Sequence, residues 1–197
     1  MNIGIDIDDT ISKTFEYSYP LSKEYTKNIL NRDSLNIEDV SIGTHQYLRE
    51  LNKWNEEEAD NFWAKYYKTI IQNVEPKEAV IKSLKKLKLE GHKIFLITAR
   101  IKANSFDVAL ETKKWLDKNE IVYDELIIDA LKKDEIAKKQ KIDLFIDDSF
   151  TNCMAVTNIG IKSYLIDSPV NRGLENNKIC RVFSWDEIYK KINVEPK

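Results

Sequence analysis

The sequence has few of the residues that mark several common classes of protein. It contains two cysteines, two histidines, five glycines and four prolines among 197 residues. Cys153 and Cys180 lack metal-ligand spacing, so we interpret both as buried free thiols, and no histidine cluster indicates zinc. No apolar run approaches the roughly 18 residues that would cross a bilayer. We find neither an internal repeat nor a low-complexity linker.

The chain also lacks an excess of positive charge. Its net charge of −2 argues against a general nucleic-acid-binding protein, which would need a basic stripe. Hydrophobic residues make up 42% and charged residues 32%, a balance that indicates a packed globule rather than disorder. A secretory pattern is missing at the first residues. We therefore expect a cytoplasmic protein with no membrane partner and no nucleic-acid polymer as partner.

Short apolar runs alternate with helical patterns along most of the chain. The runs predict strands at 2–7, 93–98, 125–128, 143–147, 162–166 and 180–183, and the periodic patterns predict helices at 108–118, 133–140, 150–158 and 185–192. Strands that alternate with helices favour right-handed crossovers and a parallel sheet. The predicted class is α/β with a Rossmann-like parallel sheet, in which ligands bind beyond the carboxyl ends of the strands.

The connection between the first two predicted strands is far longer than the later ones. Part of it is an ordinary crossover helix, for which we predict Pro76 in the first turn and Gly91 as the stop signal. The remainder has the patterns of additional helices. The sequence therefore predicts a core made of 1–13 and 75–197, with a small helical cap at 14–74.

Three helices can be predicted inside the cap. Pro20 is expected to open one that runs to about Leu30, and Thr44 is expected to cap a second. Asn55 and Glu58 have the spacing of a capping box ahead of a third. The cap is rich in aromatic residues, most of which we expect to form its small core. The others are candidates for a stacking platform.

Chemistry-bearing side chains gather where three predicted strands end. Clustered carboxylates repel one another and burial raises their pKa, so a divalent cation is the usual remedy. Strand ends that carry acid, hydroxyl and acid can converge on one Mg²⁺ and one phosphate. The residues are Asp6, Asp8 and Asp9 after the first strand, Thr98 and Arg100 after the second, and Asp147 and Asp148 at the end of the fourth.

These residues fit the needs of phosphoryl transfer. Asp6 is a candidate nucleophile, and Asp8, on the same face of an extended strand, can protonate a leaving oxygen and later deprotonate water. Asp147 would complete an oxygen-rich Mg²⁺ site, and Thr98 offers a hydroxyl to a phosphoryl oxygen. A lysine ahead of the Asp147 strand would neutralise charge on the transferring group. Asp148 is expected to support the metal ligands or position their loop.

The order of these motifs resembles the haloacid dehalogenase-like (HAD) phosphatase superfamily. The matching segments are Asp-Ile-Asp-Asp-Thr at 6–10, Leu-Ile-Thr at 96–98, Lys133 or Lys132, and Phe-Ile-Asp-Asp at 145–148. The resemblance implies Asp6 as nucleophile and Asp8 as general acid and base. It also implies Mg²⁺ held by Asp6, the backbone carbonyl of Asp8, and Asp147. Which of the two lysines serves stays open.

Within the superfamily the chain looks most like the 5′(3′)-deoxyribonucleotidase-like group. The shared features are the small helical cap, the acidic run at 143–149 and the loop at 167–172. That group hydrolyses nucleoside monophosphates and stacks the base on cap aromatics. The first candidate for this contact is Phe15, which lies just past the first motif, followed by Tyr17, Tyr19 and Trp63. Arg100 either reaches the substrate phosphate or caps its strand end. Asp9 stands where characterised members carry glycine, and it adds negative charge near an anionic substrate.

The leading hypothesis is thus a Mg²⁺-dependent phosphomonoesterase that forms an aspartyl-phosphate, with nucleoside monophosphates as favoured small-molecule substrates. One alternative is a phosphatase for sugar phosphates or other small phosphate esters, and another is a phosphomutase that uses the same aspartate pair. A third is a non-catalytic phosphate-ligand-binding module. Loss of Asp6 or Asp8 would be its expected sign, and both are present. The base, the 5′ or 3′ preference and the oligomeric state stay open.

Overall fold

The computed structural model describes residues 1–36 and 47–194. Within these ranges the helices are α1 Thr14–Asn28, α2 Tyr47–Leu51, α3 Glu56–Asn73, α4 Val80–Leu89, α5 Val108–Lys118, α6 Lys133–Lys139, α7 Phe150–Asn158 and α8 Trp185–Val194. The strands are β1 Asn2–Ile5, β2 Lys93–Ile97, β3 Glu125–Ile127, β4 Leu144–Asp147, β5 Lys162–Ile166 and β6 Cys180–Val182. Across these residues, no helix is both long enough and apolar enough to cross a membrane.

The six strands form one parallel sheet in the order β3-β2-β1-β4-β5-β6. The first strand of the chain is therefore an inner strand, flanked by β2 and β4, and Ile5 lies opposite both Leu96 and Ile146. This order confirms the predicted α/β class with a parallel sheet. It also brings the carboxyl ends of β1, β2 and β4 side by side, which is where the polar motifs were expected to meet.

Both faces of the sheet are covered, as a parallel sheet requires. Ile3 and Ile5 point to one face and belong to a large cluster that includes Trp115 and Trp185. Gly4 points to the other face, where Phe145 and its neighbours form a second cluster. A Cβ at Gly4 would lie 3.1 Å from side-chain atoms of Phe145 and Ile97, so a side chain there would have to displace close-packed neighbours.

The helices between β1 and α4 have an apolar cluster of their own. Tyr25, Trp54 and Phe62 lie at its centre, with ring centroids 4.8–5.6 Å apart. The chain enters and leaves this unit at adjacent points, because the Lys13 N–H donates to the Glu75 carbonyl at 2.8 Å. We therefore propose that residues 14–74 form a cap inserted into a core of 1–13 and 75–197.

Two helix starts differ from the sequence-based prediction. Helix α1 begins at Thr14, so the prediction that Pro20 opens it was wrong, and Pro20 lies exposed inside the helix. Contacts of the first turn with the acidic loop at 8–9 fix the earlier start. Helix α4 begins at Val80 rather than near Pro76, because residues 75–77 run antiparallel beside 11–13.

Other local predictions stand. Helix α3 begins with the predicted capping box, in which Asn55 accepts from the Glu58 N–H and the Glu58 carboxylate accepts from the Asn55 N–H, both at 2.9 Å. Helices α5 and α7 have the predicted bounds. Gly91 follows α4 with φ of +84°, the left-handed region expected of a glycine stop signal. Thr44 lies outside the described residues.

Candidate active site

A buried lysine joins two of the predicted aspartates at the carboxyl edge of the sheet. Lys133, the first residue of α6, donates from Nζ to Asp6 Oδ1 and to Asp147 Oδ2, the latter at 2.8 Å. Its neighbour Lys132 points to solvent and pairs with Glu135 at 2.8 Å. The fold therefore brings Lys133, and not Lys132, to the acidic strand ends.

Asp148 lies closer to this group than the sequence indicated. Carboxylate oxygens of Asp6, Asp147 and Asp148 lie within 4.8 Å of one another. Asp147 is held by the Ser149 N–H at 2.7 Å and by Nδ2 of Asn152 at 3.1 Å, so the start of α7 fixes its orientation. Asp148 is therefore itself a candidate metal ligand, in addition to its expected role in supporting the other ligands.

The acidic groups outnumber the cations that face them. Burial, with help from Asp147 and Asp8, raises the pKa of Asp6 to about 7 against the opposing charge of Lys133. Burial and the neighbouring carboxylates also raise the pKa of Asp148 well above its usual value. Clustered carboxyl oxygens with uncompensated charge are the hard donor set that Mg²⁺ prefers, so the residues fit that ion.

Asp9 shares this environment. Burial raises its pKa to about 7, although its Oδ1 accepts from the Phe15 N–H at 2.6 Å. Its φ of +58° is unusual for a residue other than glycine. The backbone of the acidic loop thus adopts a conformation that glycine would take without strain, while the Asp9 side chain connects the loop to helix α1.

Asp8 is paired with Arg100. The guanidinium donates from Nε to Asp8 Oδ2 at 2.9 Å and from Nη2 to Oδ1 at 2.8 Å. Arg100 is itself fixed by a bond from Nη1 to Thr112 at 3.1 Å and by the Trp115 ring, 5.8 Å from the guanidinium carbon. Burial opposes ionisation of Asp8, but Arg100 and a hydrogen bond from Thr14 outweigh it and lower the pKa.

Thr98 lies directly after β2, next to the strand that carries Asp6. It is buried, and its Oγ1 accepts from the Arg100 N–H at 3.3 Å. Its carbonyl accepts from Ala130 at 2.9 Å, a bond that joins the loops after β2 and β3. The hydroxyl is therefore at the strand end where sequence reasoning expected a phosphate contact.

Two of the candidate substrate aromatics occupy different surroundings. Phe15 is half-buried, and its ring lies 5.2 Å from that of Tyr19 and 5.0 Å from that of Tyr47. Trp63 on α3 is 37% exposed, and its ring centroid lies 6.0 Å from that of Tyr67. Backbone contact with Asp9 thus ties Phe15 to the acidic loop more directly than Trp63.

Tyr67 was missed by sequence reasoning. Burial and the charge of Asp8 raise its pKa, and its hydroxyl is hydrogen-bonded to the backbone of Ile101. Its ring packs edge-on against Phe106 at 5.6 Å, which connects α3 to the loop after β2. Nothing in the sequence separates this tyrosine from the other aromatics of the cap.

A late loop also supports the acidic strand end. Nδ2 of Asn171 donates to the carbonyl of Asp148 at 2.6 Å and to that of Ile166 at 2.8 Å. Nη1 of Arg181 donates to Oδ1 of Asn171 at 2.7 Å and so holds the amide in place. The sequence marked the loop at 167–172 as a family feature, and these bonds give it a physical role.

The parallel sheet, with a buried lysine and an acidic cluster at its carboxyl edge, has the fold of solved HAD-superfamily hydrolases. The fold is shared with a haloacid dehalogenase-like family hydrolase of Streptococcus pneumoniae, with TM-score 0.65, 12% identity and 97% of each chain covered. It is also shared with a HAD-superfamily hydrolase of Geobacter sulfurreducens, with TM-score 0.62, 13% identity and coverage of 97% of this chain and 95% of the other.

The particular family follows from sequence. The model of the family described as 5′ nucleotidase, deoxy (pyrimidine), cytosolic type C protein matches residues 1–197, so the chain belongs to that family. A nucleotidase of Clostridium acetobutylicum is 32% identical over 191 residues, covering 96% of this chain and 92% of the relative. The protein is a phosphoric monoester hydrolase of the 5′-nucleotidase-like kind, which confirms the predicted superfamily, group and enzyme class.

Proposed function

We propose that the protein hydrolyses (deoxy)nucleoside monophosphates to nucleoside and phosphate, with Mg²⁺ and a phosphorylated Asp6 intermediate. The observation that carries the proposal is the buried ammonium of Lys133 between the carboxylates of Asp6 and Asp147, in a chain of a nucleotidase family. Such a group of charges suits phosphoryl transfer, which depends on positioning and charge neutralisation.

Asp6, Asp147 and the backbone carbonyl of Asp8 would hold the Mg²⁺, with Asp148 in reach of the same oxygens. When bound, the ion would offset the negative charge that gathers on the carboxylates and on the transferring phosphoryl group. Lys133 supplies a fixed positive charge beside Asp6 and Asp147. Burial opposes its charged form, but Asp147 and Asp6 outweigh burial and raise its pKa, so it stays protonated.

The reaction proceeds in two half-reactions at the Asp6 carboxylate. A carboxylate oxygen attacks phosphorus, the bond from phosphorus to the nucleoside oxygen breaks, and Asp8 gives its proton to that oxygen. Water then attacks the phosphorylated Asp6, Asp8 takes a proton from it, and phosphate leaves. Arg100 and Thr14 lower the pKa of Asp8 in the free protein, so Asp8 must take up one proton from solvent before the first step. The negative charge of the bound substrate favours that uptake, because a neighbouring anion raises the pKa of a carboxyl group.

The nucleophile is tested by replacing it. Asp6→Asn should remove nearly all turnover, because an amide is not a nucleophile and is a poorer metal ligand. Acid-quenched enzyme should carry labelled phosphate in the wild type and none in Asp6→Asn. Asp143→Asn is the matched control, because Asp143 accepts from the Asn2 N–H just before β4, away from the acidic strand ends. Wild-type-like activity in Asp6→Asn would rule out the mechanism.

The metal and the substrate class are tested with the wild type. EDTA should abolish activity and added Mg²⁺ should restore it, so full activity in EDTA would rule out the metal site. Phosphate release should favour dTMP and dUMP over ribose 5-phosphate. Equal kcat/KM for the nucleotides and ribose 5-phosphate would contradict the nucleotidase hypothesis and favour a general small-molecule phosphatase. Transfer of phosphate to a second sugar position, with little free phosphate, would indicate a mutase.

A further inference from the structure

Asp8 is held from the cap side by a chain of hydroxyl groups. Oγ1 of Thr14, the first residue of α1, lies 2.7 Å from Asp8 Oδ1. Thr14 Oγ1 also lies 2.7 Å from Ser12 Oγ. Ser12 Oγ in turn lies 3.0 Å from the carbonyl oxygen of Ile7. Ser12 is fully buried, so the chain is closed at its far end by protein rather than by bulk solvent.

Thr14 and Arg100 hold Asp8 from opposite parts of the fold. Arg100 approaches from the loop after β2 and contacts both carboxylate oxygens, whereas Thr14 approaches from the cap and contacts one. A substrate phosphate competes for Arg100, because guanidinium binds phosphate and carboxylate alike. Thr14 carries no charge, so a phosphate dianion draws it less strongly than it draws Arg100, and Thr14 can keep Asp8 in place during the reaction.

The chain has enough hydrogens for either role of Asp8. An ionised Asp8 only accepts, so Thr14 donates to Asp8 and Ser12 donates to Thr14. An Asp8 protonated on Oδ2, the oxygen that Arg100 Nε contacts, still accepts from Thr14 at Oδ1, and Ser12 still donates to Thr14, so the proton points away from Thr14. Each hydroxyl keeps a partner in both arrangements, which avoids an unsatisfied buried polar group at either stage.

We infer that Thr14 is a positioning residue for Asp8, supported by Ser12, and that it directs the Asp8 proton toward the leaving oxygen. The inference rests on the proposed function, in which Asp8 protonates the departing nucleoside. Thr14 touches neither substrate nor reacting atoms in this role. Its loss should therefore impair the reaction only as far as the leaving group needs a proton.

Two substrates separate positioning from a structural effect. A nucleoside leaves as a poor alkoxide and needs the proton, whereas p-nitrophenolate leaves well without it. Thr14→Val should lower kcat/KM for dUMP by about 10- to 100-fold, the cost of a misplaced catalytic group, and lower it much less for p-nitrophenyl phosphate. Thr14→Ser keeps the hydroxyl and should restore dUMP hydrolysis.

Ser18→Ala is the matched control on the same helix. Ser18 is buried, and its hydroxyl donates to the Phe15 carbonyl at 3.4 Å. It should leave both kcat/KM values unchanged. An equal loss on both substrates in Thr14→Val, or no loss on dUMP, would overturn the inference. If Thr14→Val does not fold, Ser12→Ala should give a smaller loss with the same dependence on leaving group.

A double variant distinguishes this inference from the proposed function. Because Thr14 acts through Asp8, Thr14→Val should add nothing to Asp8→Asn, whereas independent effects would multiply. A multiplied loss overturns the positioning role while leaving the function intact. Wild-type-like dUMP hydrolysis by Asp8→Asn would instead overturn the general acid of the proposed function, and the positioning role with it.

Discussion

Two adjacent lysines show how much of this site is decided at single residues. Lys133 is buried between Asp6 and Asp147, and Lys132 is exposed beside Glu135. Sequence alone left both open, because five lysines crowd 132–141 and helix periodicity does not fix the first turn. The fold distinguishes the two lysines, because it is the side chain of Lys133 that contacts Asp6 and Asp147 at the ends of β1 and β4.

The pair gives a matched test. Lys133→Met keeps the length of the side chain but leaves Asp6 and Asp147 without their cation, so kcat should fall by about 10²- to 10³-fold, as on loss of a preorganised electrostatic group. Lys132→Met should change kcat by less than about twofold, because exposed ion pairs contribute little. Steady-state kinetics with dUMP measures both. Similar losses in the two variants would contradict the assignment of Lys133.

Other residue-level features follow from the sequence in unequal measure. Acidic residues at the ends of apolar runs predicted Asp6, Asp147 and Asp148 at one edge, because parallel strands align their carboxyl ends. The partner of Arg100 could not be predicted in the same way. Asp8 lies far from Arg100 along the chain, and only the pairing of β1 with β2 brings them together.

At the scale of helices and strands, local signals were reliable where they contained a complete motif. The capping box at Asn55 and Glu58 placed the start of α3, because both reciprocal bonds are encoded within four residues. Pro20 and Pro76 misled, because proline marks a helix start only when no other contact fixes it. Helix α1 instead begins where Thr14 and Phe15 meet the acidic loop.

The cap helices also make a prediction about substrate. A base stacked on Phe15 or Trp63 would gain about 1–3 kcal/mol, or roughly one to two powers of ten in kcat/KM. Phe15→Ala should have the larger effect, because its backbone is bonded to Asp9 in the acidic loop. Hydrolysis of dUMP should weaken more than hydrolysis of p-nitrophenyl phosphate in the variant that removes the platform.

Tyr189→Ala is the control for that comparison. Tyr189 lies on α8, and its hydroxyl is bonded to Glu90, which precedes β2 at the amino edge of the sheet. It should leave the ratio of the two kcat/KM values unchanged. A ratio that stays constant in both Phe15→Ala and Trp63→Ala would exclude these rings as the platform, provided that circular dichroism shows folded protein.

At the scale of the whole molecule, sequence predicted the α/β core but not the backbone pairing that places 11–13 beside 75–77. The alternation of strands and helices was enough for the parallel sheet, because crossover rules leave few topologies. Backbone hydrogen bonds join 11–13 to 75–77, where the chain passes between the core and the helical unit. The two segments are distant in sequence. Such pairing has no compositional signal, so only the folded chain reveals it.

The excess of buried carboxylates predicts how stability depends on pH without metal. The pKa of Asp6 and of Asp9 is about 7 in the folded protein, above the usual 3.8, so the folded state binds more protons than the unfolded state between these values. Stability in EDTA should therefore fall as pH rises through that window. Groups with a lowered pKa, such as Asp8, stabilise the folded state until the pH falls to more acidic values.

Mg²⁺ should reverse this trend, because a cation binds the ionised carboxylates and releases their protons. At a hundredfold excess over Kd the ion should add about 2.7 kcal/mol, which corresponds to roughly 5–10 °C in Tm for a chain of this size. Thermal unfolding at about pH 5 and pH 8, with EDTA or Mg²⁺, should show the larger gain at the higher pH. Asp147→Ala should blunt the gain, because it removes a carboxylate of the cluster. An equal Tm with EDTA and with Mg²⁺ at the higher pH would contradict a metal site at these residues.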